Sequence, residues 1–151
     1  MSLHNNGVFG IMAGGVIIVD LQALNRNIQL HERLERAYDM VESLRERAYP
    51  GGQNLDGMPR GTDVSDKVGN LAIQIADLTA RIEWLEEETE KGDEEIRKFA
   101  NSFDDERLQM IIQARFISCF TWSDTADLLG PAFTEKGVKR LLYGAVCHGD
   151  A

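Results

Sequence analysis

Proline, cysteine and positive charge are all scarce in this chain. Three prolines occur, at positions 50, 59 and 131, so long stretches escape the residue that breaks helices, and extended helices are expected. Two cysteines, Cys119 and Cys147, sit among apolar neighbours without ligand spacing around them. That favours buried thiols of a cytosolic chain over a disulfide. His148 follows Cys147, but one Cys-His pair without further ligands makes a poor zinc site, so neither a metal nor a cofactor is expected. Lysine and arginine number 16 against 25 acids, a net charge of −9, which argues against a nucleic-acid binder with a basic coat. The acidity is uneven. Residues 66–100 hold ten acids and five bases, whereas 134–147 hold one acid against three bases, so any nucleic-acid contact must be local.

Long hydrophobic runs are missing too. The apolar start, Gly7 to Val19, is broken by glycines and falls short of the roughly 20 residues needed to span a bilayer. It also lacks the basic beginning of a signal peptide. Residues 1–19 therefore read as a disordered or loosely docked leader, with Met12 a second candidate start, and no membrane partner is expected. What remains is a chain of 151 residues, 43% hydrophobic, enough for one ordinary domain or two small helical pieces.

Residues 20–49 read as one long helix, with Leu21, Leu24, Ile28, Leu34, Tyr38, Val41, Leu44 and Ala48 at three- and four-residue steps and a gap at His31. His31 reads as a tolerated seam residue rather than a ligand. Pro50-Gly51-Gly52 stops the helix, and 50–65 is expected to be a flexible connector without the Gly-Lys-Ser/Thr ending of a phosphate loop. A second helix starts at Ser65 or Asp66. Val68, Leu71, Ile75, Leu78, Ile82 and Leu85 alternate in steps of three and four, as a heptad seam requires. Thr89, Gly92, Ile96 and Phe99 continue it, with a helix irregularity expected at Gly92. The acidic stretch Glu86–Glu95 reads as a solvated face. Two such helices pair as an antiparallel hairpin over 20–100. Ala72, Ile73, Ala76 and Trp84 flank the seam and leave more apolar area than one pair can hide. Self-association is expected, with Leu71, Ile75, Leu78, Ile82 and Leu85 as its seam.

Residues 101–147 form a smaller helical module, followed by a tail over 148–151. Ser102 and Asp105 have capping-box spacing and open a helix through about Ser118, with Leu108, Ile111, Ile112 and Phe116 as its buried stripe. Cys119-Phe120 makes a corner. Thr121 and Asp124 repeat the capping spacing, Trp122 and Ala126 face inward with Leu129, and Gly130 closes the short helix ahead of Pro131. Thr134 caps a last helix whose Val138, Leu141, Leu142 and Ala145 form one apolar face. Glu135, Lys136, Lys139, Arg140 and Tyr143 are left for its outer side, where Lys and Arg can meet phosphates or guanine edges. The fold class is therefore all-α, a long coiled-coil-like hairpin followed by a small helix-turn-helix bundle.

The stretch Arg115-Phe-Ile, then Thr121-Trp-Ser-Asp-Thr-Ala and Leu128-Leu-Gly130, resembles region four of bacterial sigma factors. More closely it resembles small phage regulators of the RinA/ArpU type, which place a helical region before such a module. The resemblance covers roughly 103–143 in motif and 20–147 in layout. It implies control of late phage genes by binding promoter or operator DNA in the bacterial cytoplasm, with Thr134, Lys136, Lys139, Arg140 and Tyr143 as the DNA-facing residues. One departure stands out: seven residues, Pro131 to Gly137, separate Gly130 from Val138, a longer turn than the common motif. No nucleophile–base pair or carboxylate dyad suggests an enzyme. The alternatives are an interaction adaptor, docking RNA polymerase or another partner, and a DNA-packaging small subunit.

Overall fold

A computed structural model describes residues 11–12, 15–16, 19–49 and 62–147. Much of the expected leader, most of the connector (50–61) and the tail (148–151) lie outside the described residues. Most of the described residues are helical: α1 spans Leu21–Ala48, α2 Thr62–Asn101, α3 Glu106–Phe116, α4 Trp122–Leu129 and α5 Glu135–Cys147. The only strands among the described residues are two-residue β1 (Ile11–Met12) and β2 (Gly15–Val16), paired antiparallel. None of the described helices is long and apolar enough to cross a membrane.

Two compact units emerge. One joins the chain up to His31 with everything from Thr89 onward, and the other comprises Glu32–Glu88. The division at residue 101 drawn from the sequence is thus not where compactness divides the chain. The reason is apolar area. Helices of 11, 8 and 13 residues cannot enclose a core unaided, so α3–α5 close around Leu24 and Ile28 from α1 and Ile96, Phe99 and Ala100 from α2. Val19, expected to end the leader, is 2% exposed and belongs to this core. Asp20 then caps α1, its Oδ1 accepting the Ala23 N–H at 2.9 Å.

A polar cluster is built into the same unit. Asn27 donates from Nδ2 to Asp93 Oδ1 at 2.8 Å and to the Phe116 carbonyl at 2.9 Å. That carbonyl lies in the last turn of α3, where helical carbonyls lack partners of their own. His31 Nε2 donates to the same Asp93 oxygen at 2.8 Å, so His31 sits on the seam as a hydrogen-bonding residue. Gly92 causes no irregularity, because α2 runs unbroken through it. A Cβ there would overlap the Asn27 side chain, and glycine is what lets this side chain lie against α2.

In the other unit, Leu44, Ala48 and Leu71 form a small buried cluster with Ile75 and Leu78 packed against it, and Ala37, Val41, Ile82 and Leu85 are also buried. Ala37, not Tyr38, fills the seam position on α1. Tyr38 is 45% exposed and donates its hydroxyl to Glu86; that bond first, then desolvation and the carboxylate's charge, raise the phenol's pKa. Leu71, Ile82 and Leu85, expected to form the seam between copies, are each at most 8% exposed within one chain. Their area is consumed inside the hairpin.

Candidate nucleic-acid interface

The segment resembling a helix-turn-helix is assembled from local caps. Ser102 does not cap α3: its hydroxyl donates back to the Phe99 carbonyl at 2.6 Å, ending α2. Asp105 is the cap instead, accepting the Arg107 N–H at 2.9 Å while its other oxygen pairs with the Arg107 guanidinium at 2.9 Å. The Arg107 side-chain hydrogen bond holds the Asp105 carboxyl below its ordinary pKa, against an opposing desolvation effect. The corner after α3 turns through Cys119, which has φ 59°, and Phe120 donates its N–H to the Ala114 carbonyl at 2.9 Å.

Thr121 caps α4, accepting the Asp124 N–H at 3.0 Å. Thr125, fully buried, returns its hydroxyl to the Thr121 carbonyl at 2.8 Å. Gly130 ends α4 at φ 124° and ψ 171°, a backbone region that side-chain-bearing residues avoid. The longer turn tightens on itself, with the Phe133 N–H donating to the Gly130 carbonyl at 3.1 Å. Thr134 then caps α5 by accepting the Gly137 N–H at 3.1 Å. A Cβ at Gly137 would stand 3.3 Å from the Thr134 hydroxyl oxygen, crowding the cap. The glycine that weakens the helix by up to ~1 kcal/mol therefore leaves room for its cap.

Trp122 organises the module. Its ring meets Phe116 edge-on at 6.2 Å and Tyr143 at 6.0 Å, within the favoured range for aromatic pairs. Two cations also address it: the Arg115 guanidinium at 4.9 Å and Lys139 Nζ at 5.8 Å from the ring centre. Arg115 is anchored besides, donating from Nη1 to the Phe120 carbonyl at 2.8 Å. One indole thus ties together α3, α4 and α5. Ala126 and Val138 are buried in the core, with Trp122 and Leu129 half-buried against it.

On α5, Lys136 and Arg140 are exposed one turn apart, with exposed Tyr143 a further three residues along, so the three share a face. Thr134 is exposed at the N-terminal end of that face, but its hydroxyl is engaged in the cap. Lys139 differs from expectation: it is half-buried and directed at Trp122, so the outward charge rests on Lys136 and Arg140. Sequence reasoning placed Arg115 at the head of the resembling stretch but assigned it no site role, and it brings a third helix to the Trp122 ring. The signal available was an arginine one residue before the core Phe116 and seven before Trp122. Acids border the same segment, since Asp124, Asp127 and Glu135 are all exposed. Among the described residues, no group of three or more His, Cys, Asp or Glu is placed to hold a metal. No protein-family model matches this chain, and no curated protein or solved structure matches it either.

Proposed function

We propose that this chain is a phage-type transcriptional regulator that self-associates through its hairpin and contacts promoter or operator DNA with α4, the following turn and α5. On this reading it works in the cytoplasm of a bacterial host, by binding and not by catalysis, and needs no cofactor. The observation that carries the reading is the α5 face of Lys136, Arg140 and Tyr143, packed beside α4 through the Trp122 contacts. A short helix fixed against a second, with two guanidinium or ammonium groups one turn apart on its outer side, suits insertion into a major groove. Two such cations per copy give weak phosphate anchoring, so useful affinity requires more than one copy.

The test is binding of the full chain to promoter-containing phage DNA across a salt series. Wild type is expected to bind specifically and to weaken as salt rises, while Lys136→Ala/Arg140→Ala loses at least about tenfold in affinity with a shallower salt slope. Equal affinity of the two proteins would remove the assigned face.

A second reading has its own observation. Asp124, Asp127 and Glu135 are exposed on the same two helices, α4 and α5, and they would repel phosphate but attract a basic protein surface. Such an adaptor, with RNA polymerase among its candidate partners, predicts a folded oligomer without DNA affinity at any salt concentration.

A further inference from the structure

The hairpin unit Glu32–Glu88 carries two grooves between its helices, with no lining residue in common. The first holds about 500 Å³ over buried Leu85, with Arg33, Arg36 and Arg81 against Asp77 alone. The second holds about 560 Å³ beside Ile75, with Glu42 and Glu46 against Arg45. Helical geometry explains their separation. Glu42 and Glu46, one turn apart, lie along one side of α1 with Tyr49 just past its end, while Arg33 and Met40, seven apart, follow the other. Exposed apolar groups divide between the same flanks. Met40, 54% exposed, lines the arginine groove, and Trp84 lies under the Arg33 guanidinium at 5.9 Å. Tyr49, 56% exposed, lines the glutamate groove.

We infer that copies of this chain associate head to tail, the arginine flank of one hairpin receiving the glutamate flank of the next. Arginine flank on arginine flank sets two surfaces of net positive charge together, and glutamate flank on glutamate flank two of net negative charge. Only the unlike pairing sets flanks of opposite net charge against each other, with apolar and aromatic groups from both sides between them. An unlike contact leaves each copy with one flank still open. Association therefore continues to a closed ring or an open chain and does not stop at a two-fold dimer. The inference rests on self-association through the hairpin and is independent of DNA binding.

The experiment is light scattering on the full chain without DNA, at low and high salt. It compares wild type with Arg33→Glu/Arg36→Glu and with Glu42→Arg/Glu46→Arg, all at exposed positions, with helical circular dichroism as the check on folding. Wild type is expected to exceed a dimer and to shrink with salt. Each variant alone falls to a monomer, its association weakened at least about tenfold by the new like-charge contact. An equimolar mixture of the two variants regains mass, because their reversed flanks complement each other. Masses unchanged in both variants, a wild type that stops at a dimer, or a folded mixture that stays monomeric would each overturn the head-to-tail contact and leave hairpin association standing. A wild-type monomer at every concentration would end both.

Discussion

The two compact units hide apolar area to different depths. Around α3–α5, residues Ile111, Ile112, Phe116, Val138 and Leu142 are completely inaccessible, whereas the hairpin's Leu44, Ala48 and Leu71 each keep some exposure and Ile73 remains 61% exposed. Five helical segments can surround a core; two cannot. Two packed helices cover one stripe each and leave their outer faces to solvent. The first unit therefore encloses its core, and the second leaves apolar area exposed. The proposed division of labour follows the same line, with a reading head in one unit and association in the other.

The strongest way to break this comparison is to empty both cores. Phe116→Ala in the first unit should lose about 3–5 kcal/mol in urea unfolding, and Leu71→Ala in the hairpin only about 2 kcal/mol. Similar losses would show that the hairpin core is as deeply packed as the bundle's. Next in size is Gly92→Ala. The new methyl must displace Asn27 and disturb its bonds to Asp93 and the Phe116 carbonyl, for an expected loss of about 1–3 kcal/mol despite alanine's better helix propensity. In a double-mutant cycle with Asn27→Ala the two losses should not add. Strict additivity would mean that the loss at Gly92 does not arise through Asn27.

The smallest effect concerns Asp105. Its native pKa is lowered, chiefly by the Arg107 side-chain hydrogen bond, so its contribution is fully present above the unfolded carboxylate value of about 3.9. That contribution disappears as pH falls through the lower native value. Asp105→Asn should therefore flatten the acid limb of the stability curve slightly, the pair being solvent-exposed and screened. An unchanged acid limb would assign the pH dependence to other carboxylates.

Much of the helix layout was legible in the chain itself. Steps of three and four placed α1 and α2, and the Thr121, Gly130 and Thr134 signals marked the ends of the short helices, because caps and turns act within a few residues. Local rules failed where a residue had two plausible partners. Ser102 has the spacing of an N-cap for α3 but ends α2 instead, and Asp105 takes the cap. Tyr38 has the apolar bulk for the seam, yet smaller Ala37 occupies it and Tyr38 reaches Glu86. On the candidate site, periodicity grouped Lys136, Lys139, Arg140 and Tyr143 on one side of α5. Nothing in that periodicity revealed that Lys139 turns toward an indole on another helix, or that Arg115 turns toward it from a third.

By itself, then, the sequence determined an all-α chain, the approximate span of each helix and the stripe each must bury. These follow from turn geometry, proline and glycine placement and the period of apolar residues. Tertiary structure decided the rest: that the ends of the hairpin complete the core of α3–α5, that the heptad seam is spent within one chain, and that Asn27, His31 and Asp93 bond together across Gly92. Those outcomes depend on which surfaces meet, and burial and hydrogen bonding between segments as many as 89 residues apart obey no local spacing rule.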